Sequence, residues 1–372
     1  MAAMPDPMHG DHFDALLREV RGYAAGRPPD AEMDDARVLG MAAEAIHHKL
    51  LPLVASRYRL HPGLSRPLRS HLGDLHRAAA HRLAVYVREA LWVQRLLAAG
   101  GVGVLFRKGA VLPAMLYATE ADRYCADVDL YCAPAQARQA FDALRGAGCR
   151  TGEQDAERRF RPHTRAEEVF TTLYPDHLPR LVLPLEDEPA EPSVAFDVSL
   201  DLGWSMAPLS GRRAGMLVHE IAAGVTTGNG LRTSGSPAFH FLDVALHMFR
   251  DAYFQKTIGE RKDVHLSKFL DLELLWRCMG AGERARLDAL AREAGARGVL
   301  AWVAHHGDAV FGCGMAAALG LAEPEPGWPA PDTWQAADGS VRAWRGSMVQ
   351  RLRAKSGAVP YIELKENAYA SH

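Results

Sequence analysis

The stretch Arg123-Tyr-Cys-Ala-Asp-Val-Asp-Leu130 places two acids inside an apolar segment with the pattern of a buried strand. Strand side chains alternate in direction, so Asp127 and Asp129 point the same way on either side of Val128. Two adjacent carboxylates repel each other unless a cation lies between them. The pattern predicts a site for Mg²⁺, which prefers hard oxygen ligands, and favours two ions acting together in a phosphoryl displacement. The alternative is an acid pair that only solubilises the end of a sheet, since a lone Asp-x-Asp motif is weak evidence.

A second acidic strand follows about seventy residues later. The segment Phe196-Asp-Val-Ser-Leu-Asp-Leu-Gly-Trp204 places Asp197 and Asp201 on one strand face. Either acid could complete the metal site, and one could be the general base that takes a proton from an acceptor hydroxyl.

Hydrophobic spacing around these segments predicts helices, then a small sheet, then helices again. Strands are predicted at 102–106, 128–132 and 194–202, with further candidates at 168–174 and 180–183. Helices are predicted at 70–99, 110–117, 134–147, 237–254, 264–280, 282–295, 297–305 and 336–354.

The predicted fold class is therefore α+β: a small mixed β-sheet core flanked by helical regions at both ends. We predict a helical N-terminal region over 1–100, the α/β core over 101–205, a Gly-, Thr- and Ser-rich linker over 206–236, and a helical C-terminal domain over 237–372.

The net charge, the cysteine spacing and the apolar runs restrict the classes of partner and the location that the sequence predicts. The chain has 372 residues and a formal net charge of -2, so no basic excess marks a nucleic-acid-binding surface. None of its five cysteines forms a Cys-x-x-Cys pair, which predicts free thiols in a reducing cytoplasm. Charges interrupt the apolar runs before they reach the length of a membrane span, and the first residues lack the pattern of a signal peptide.

Several motifs together resemble a known family. Leu105-Phe-Arg-Lys-Gly-Ala110, Leu116-Tyr117, Arg123 and Asp127-Val-Asp-Leu130 are similar to the "L-K-G-A … L-Y … R-x-x-S-D-I-D-L" pattern of the uncharacterised bacterial nucleotidyltransferase family. That family belongs to the DNA polymerase beta nucleotidyltransferase superfamily. Asp176-His-Leu-Pro-Arg180 and Leu200-Asp-Leu-Gly-Trp204 resemble its later motifs, and the similarity spans roughly residues 35 to 320.

The resemblance implies roles for individual residues. Asp127 and Asp129 match the metal-binding pair, and Asp201 matches the third acid by its spacing to Trp204. Lys108-Gly109 stands where the superfamily binds phosphate at the start of a helix, and Lys108 would add a positive charge for the triphosphate.

Two further cations are implied less directly. Arg123 would serve as a phosphate-binding or structural arginine. Lys268 is either part of a solvated helix face or, as in the family's helical half, a residue that reaches the triphosphate. The chain departs from the pattern at Ala126 and Gly203, which leaves the carboxylates intact but removes the family's histidine before Trp204.

The predicted function is Mg²⁺-dependent transfer of a nucleoside monophosphate from a nucleoside triphosphate, with ATP as the expected donor, to a hydroxyl of a small molecule or peptide. One alternative is a phosphotransferase on the same scaffold that acts on a peptide or protein. The other is a non-catalytic nucleotide-binding protein.

Overall fold

Helices occupy both ends of the chain and strands its middle, as the hydrophobic spacing predicts. The computed structural model describes residues 7–154, 159–173, 176–188, 190–203, 214–321 and 327–356. The helices are α1 (Pro7–Ala24), α2 (Asp35–His47), α3 (Leu51–Tyr58), α4 (Arg66–Ala99), α5 (Leu112–Leu116), α6 (Ala137–Gly146), α7 (Arg165–Leu173), α8 (Ala214–Ala223), α9 (Pro237–Tyr253), α10 (Gln255–Gly259), α11 (Leu266–Cys278), α12 (Ala281–Glu293), α13 (Arg297–Phe311), α14 (Met315–Ala318) and α15 (Met348–Arg353).

The strands lie mostly between α4 and α9. They are β1 (Val104–Arg107), β2 (Val128–Cys132), β3 (Arg150–Gln154), β4 (Phe160–Pro162), β5 (Leu181–Pro184), β6 (Ser193–Ser199), β7 (Val225–Thr226), β8 (Arg232–Thr233), β9 (Thr333–Gln335) and β10 (Val341–Ala343). Short 3-10 turns cover Lys108–Ala110, Glu120–Asp122, Pro134–Gln136 and Ala354–Ser356.

Six strands form one mixed sheet in the order β1-β2-β6-β5-β3-β4. The β2 and β6 strands run parallel, whereas β1 and β5 run antiparallel to these neighbours. The three main predicted strands are present as β1, β2 and β6, and the candidate at 180–183 is present as β5. The chain is therefore a mixed α and β protein with a small mixed sheet, as predicted.

One face of the sheet is the apolar core. Alternation along β2 and β6 buries every second side chain against α4 and α6. The buried set includes Val85, Val93, Leu97, Phe106, Val128, Leu130, Leu144, Phe196 and Val198. Because the period of a strand is two, the residues between these core positions, including the acids, are directed to the opposite face.

The Cα positions divide the chain into two units. One unit contains residues 78–240 and therefore the six-stranded sheet, together with α8, β7 and β8. The other unit contains residues 1–77 and 241–372, so helices from both ends of the chain belong to it. Within it, α1 packs on α2 and α11, and α13 packs on α11 and α15. The predicted boundaries at 100, 205 and 236 stay predictions.

Two local predictions are wrong, and capping explains both. In place of the predicted strand at 168–174, residues 168–173 belong to helix α7, and residue 174 lies outside the described residues. A cap at Thr164 begins this helix: the Thr164 backbone N–H donates to Glu167 Oε2 at 2.7 Å, and the Glu167 N–H donates to Thr164 Oγ1 at 3.3 Å. The predicted helix at 336–354 is instead the β9–β10 hairpin followed by α15. The chain turns at Gly339, whose φ is +83°, and a capping box at Ser347 begins α15.

In the portions of the chain that the structure describes, none of the helices combines the length and the apolar character that crossing a bilayer requires.

Candidate active site

Three carboxylates lie on one face of two adjacent strands. Asp127 directly precedes β2, and Asp129 lies within it and is buried, with 7% of its surface exposed. The parallel register places Asp129 beside Asp197 of β6. Val128 and Phe196 occupy the core face between them, so the sheet itself holds the acids together on the opposite face.

The two candidates for the third acid lie in different surroundings. Asp197 is a register partner of Asp129, whereas Asp201 follows the end of β6 in a bend, where its Oδ1 accepts a hydrogen bond from the Gly203 N–H at 3.3 Å. The period of a strand could not separate them, because both fit the same face of a strand extended to residue 202, and the family resemblance favoured Asp201 by its spacing to Trp204. The role of Asp201 stays a prediction, and Trp204, on which its motif rests, lies outside the described residues.

Electrostatic repulsion is concentrated at Asp127. Burial, the Asp129 charge and the Asp197 charge raise the pKa of Asp127 to about 6, against the opposing effect of Arg180 and Lys108. With this pKa, ionisation of the Asp127 carboxyl group is unfavourable unless a positive charge lies close to it.

Two cations contact the aspartate pair. Lys108 Nζ lies 3.0 Å from Asp129 Oδ1. Arg180 Nη2 lies 3.4 Å from Asp127 Oδ2, while its Nη1 lies 3.5 Å from Glu153 Oε2. The Lys-Gly motif predicted the role of Lys108, whereas no role was predicted for Arg180, because the pairing of β5 with β6 that brings it there is a long-range contact.

The Lys-Gly turn is fitted tightly against the segment that precedes Asp127. Lys108 has a φ of +48°, a left-handed conformation that is uncommon outside glycine and often found at functional sites. A Cβ on Gly109 would lie 2.9 Å from Cys125 Sγ and 3.2 Å from Arg123 Nη1, so only glycine fits there. The predicted phosphate-binding residues Lys108, Gly109 and Arg123 are therefore neighbours of the acids.

The helix that follows this turn is shorter than predicted. A helix was predicted over 110–117. Ala110 instead ends the 3-10 turn Lys108–Ala110, and α5 covers five residues, Leu112–Leu116. The phosphate role predicted for a helix start therefore depends less on a helix dipole and more on Lys108 itself.

The stretch predicted to be a linker supports the same turn. Asn229 Nδ2 donates to the Ala110 carbonyl at 3.0 Å, and Thr233 Oγ1 donates to the Phe106 carbonyl at 2.6 Å. The β7–β8 hairpin thus holds both ends of the Lys-Gly turn. These contacts could not be predicted from the sequence, because Gly, Thr and Ser are as common in linkers as in structured turns.

His177 lies close to Asp197, the β6 acid beside Asp129. Its Nε2 lies 3.8 Å from Asp197 Oδ1 and its Nδ1 lies 3.8 Å from Asp176 Oδ2. A backbone bridge to Ser199 fixes the loop that carries it. The sequence left open whether His177 faces the site or only stabilises its loop, and the structure places it at the site.

Lys268 belongs to the other unit. Its Nζ lies 2.5 Å from Asp251 Oδ2. Burial would raise the pKa of Asp251, but the charges of Lys268 and His247 hold it well below its usual range. The predicted contact of Lys268 with the triphosphate stays a prediction.

The carboxylates are suited to a hard divalent cation by their chemistry. Burial and, after it, repulsion from the neighbouring acids raise the pKa of Asp127, and a cation between the acids would relieve that repulsion. As the side chains are placed, no group of three or more His, Cys, Asp or Glu residues in the described ranges is arranged to hold a metal ion. Carboxylate oxygens are hard, negatively charged donors, so the residues present fit a hard divalent cation in donor type and charge.

Comparisons with known proteins give one finding. A family model described as "Uncharacterised nucleotidyltransferase" matches residues 35–312, which include every residue placed at this site. No curated protein matches the chain, and no solved structure matches it.

Proposed function

Because this chain belongs to the uncharacterised nucleotidyltransferase family, we propose that it moves a nucleoside monophosphate from a nucleoside triphosphate to a hydroxyl of a small molecule or peptide. The observation that carries the proposal is the acid cluster of Asp127, Asp129 and Asp197 on one sheet face, with the pKa of Asp127 raised to about 6. The same cluster supports membership of the DNA polymerase beta nucleotidyltransferase superfamily.

We propose Mg²⁺ as the metal, held by Asp127 and Asp129 together with a third acid. When bound, it would activate the attacking hydroxyl and stabilise the leaving oxygen. Of the two candidates for the third acid, the register favours Asp197, because it lies beside Asp129. Asp201, at the bend after β6, is the alternative.

The chain's own residues would then guide a balanced displacement. The third acid accepts the proton of the acceptor hydroxyl. The hydroxyl oxygen forms a bond to the α-phosphorus, the bond from that phosphorus to the bridging oxygen breaks, and pyrophosphate leaves with the electron pair.

The cations would neutralise the charge that develops on the departing pyrophosphate. Lys108 and Arg180 already lie within 3.5 Å of the aspartate pair, and Arg123 borders the Lys-Gly turn. Lys268 remains a further candidate for the triphosphate. Fixed cations of this kind stabilise transition-state charge without reorganisation during the reaction.

We propose ATP as the donor and a cytoplasmic reaction, with no nucleic acid as acceptor. The formal net charge of -2 supports a small or peptide acceptor.

Positional labelling tests the reaction. The full chain is incubated with Mg²⁺ and ATP labelled on either the α- or the γ-phosphate, with glycerol and a serine-containing peptide library as hydroxyl acceptors. With α-labelled ATP, we expect the label in the product. With γ-labelled ATP, we expect the label in the released pyrophosphate. Label from the γ position in the product would identify a phosphotransferase instead.

Variants and binding complete the test. Asp127→Asn and Asp129→Asn are expected to abolish transfer, whereas Asp187→Asn, a neutralised exposed aspartate in the same unit, should not change it. Calorimetry with α,β-methylene-ATP and Mg²⁺ measures nucleotide binding separately. Binding without any transfer would indicate a non-catalytic protein. Transfer that survives both active-site substitutions would refute the metal site.

The third acid is identified by comparing Asp197→Asn with Asp201→Asn. We expect the first to lower kcat about 100-fold or more, as loss of a general base does. The second should affect kcat less. The reverse order would assign the role to Asp201.

A further inference from the structure

The segment that leads into Asp127 has no regular secondary structure. Residues 124–126 lie between a 3-10 turn and β2, so their carbonyls have no ladder partners in the sheet. Inside the segment, the Cys125 thiol, a weak donor, contacts the Asp127 carbonyl at 3.2 Å. Two side chains of α4 hold the segment from outside.

Arg82 and Tyr86 each hold one carbonyl of this segment. Arg82 Nε donates to the Cys125 carbonyl at 2.9 Å, and the Tyr86 hydroxyl donates to the Ala126 carbonyl at 3.2 Å. The two α4 residues are joined to each other, since Arg82 Nη2 donates to the Tyr86 oxygen at 2.9 Å.

Arg82 also reaches the strand that carries the third acid. Its Nη1 lies 3.2 Å from Glu191 Oε1, two residues before β6 begins. Its guanidinium lies 5.1 Å from the ring centre of Tyr86 and 5.0 Å from that of Tyr124. One guanidinium thus contacts the segment before Asp127 and the segment before β6.

These contacts are partly protected from water. Tyr86 is 3% exposed and the Glu191 side chain 7%. Burial raises the pKa of Tyr86 to about 12, so its hydroxyl keeps its proton and remains a donor. Hydrogen bonds with a charged partner in such surroundings are about twice as strong as neutral ones.

We propose that Arg82 and Tyr86 are positioning residues that set the place of Asp127 relative to Asp129 and Asp197. The proposal rests on the proposed function for its consequence in catalysis, but not for its geometry. A displacement of about 1 Å in a reacting constellation can lower a rate about 100-fold.

The experiment compares Tyr86→Phe and Arg82→Lys with Arg88→Gln. The first variant removes one hydroxyl and keeps the ring. The second keeps the charge but loses the fork of donors that reaches three partners at once. Arg88 is the matched control, because it lies on the same helix and pairs with Glu188 in the loop before β6 at 3.4 Å.

Two readouts are taken. Hydrogen exchange measures the backbone amides of residues 124–129, and initial rates of pyrophosphate release from ATP give kcat and KM. We expect exchange at least about threefold faster in Tyr86→Phe and Arg82→Lys, since anchored segments open less often. We expect kcat to fall about 10-fold and about 100-fold respectively, with KM for ATP changed less than about threefold.

The control defines what would overturn the proposal. Arg88→Gln should leave both readouts at the wild-type values. Unchanged exchange over 124–129 in Tyr86→Phe overturns the proposal whatever the transfer rate is. A fall in kcat that Arg88→Gln shares overturns it too. If the wild type releases no pyrophosphate, the proposed function fails, and exchange alone decides the positioning role.

Discussion

Replacement of Asp127 by asparagine should stabilise the protein while it abolishes transfer. The amide has nearly the size of the carboxyl group but carries no charge, so it removes the cost of burying a charge as well as the repulsion from Asp129 and Asp197. The pKa of Asp127 rises from 3.8 to about 6, which is about two units. Each unit corresponds to about 1.4 kcal/mol.

The magnitude follows from these values and from exposure. About two units give a ceiling of about 3 kcal/mol in the free energy of unfolding. The Asp127 side chain is 31% exposed, and solvent screening lowers the expected gain to about 1–2 kcal/mol. For a domain of this size that corresponds to a rise in Tm of roughly 2–8 °C.

The gain must depend on pH with a definite sign. Between pH 3.8 and about 6 the folded Asp127 keeps a proton that the unfolded chain has lost, so the stability of the wild type falls as the pH rises through this window. Asparagine has no such proton. The difference between variant and wild type should be full above about pH 7 and nearly absent near pH 4.

Denaturant unfolding in EDTA at pH 4.5 and pH 8 measures the difference. Asp187→Asn is the control, because it removes one charge from an exposed turn of the same unit and should change stability by less than about 0.5 kcal/mol. A variant that is equally or less stable than the wild type at pH 8 would refute the account of repulsion at the site. So would a gain of the same size at both pH values.

Three other substitutions test the surroundings. Gly109→Ala should lower the free energy of unfolding by about 1–3 kcal/mol in denaturant titrations, because its Cβ would lie 2.9 Å from Cys125 Sγ. Lys108→Met should lower kcat/KM for ATP at least about 10-fold in the pyrophosphate assay, because its ammonium group contacts Asp129 at 3.0 Å. Arg351→Gln should lower the free energy of unfolding by about 2–4 kcal/mol in the same titrations, since the buried Asp263 loses the guanidinium that contacts it at 2.8 Å and keeps only Lys355, at 3.6 Å, as a cationic partner.

Each of these has a matched control. Gly146→Ala adds a Cβ with nothing within 4 Å and should be neutral or stabilising by up to about 1 kcal/mol. Lys262→Met neutralises an exposed lysine and should leave kcat/KM unchanged. Arg138→Gln breaks an exposed pair on α6 and should cost less than about 0.5 kcal/mol. Equal effects in a variant and its control would contradict the corresponding prediction.

Local patterns were sufficient for the central strands and for the acid pair. An apolar run after a glycine pair predicted β1, the apolar segment around the acids predicted β2, and the period of two placed Asp127 and Asp129 on one face before any partner strand was known. The same reasoning failed at 168–174, where the Thr164–Glu167 cap makes a helix of a segment with strand-like composition. A cap of two hydrogen bonds decides such a segment, and composition does not reveal it.

The chemical groups of the candidate site could be identified from local sequence: two carboxylates two residues apart, a Lys-Gly turn before them and two candidate acids after them. Which of these groups meet depends on the tertiary fold. Strand register brought Asp197 rather than Asp201 beside Asp129, the β5–β6 pairing brought Arg180 to Asp127, and α4 supplied Arg82 and Tyr86 to the carbonyls before it. The physical reason is that side-chain direction follows from the local backbone, whereas register and helix docking follow from burial of the whole core, to which distant parts of the chain contribute together.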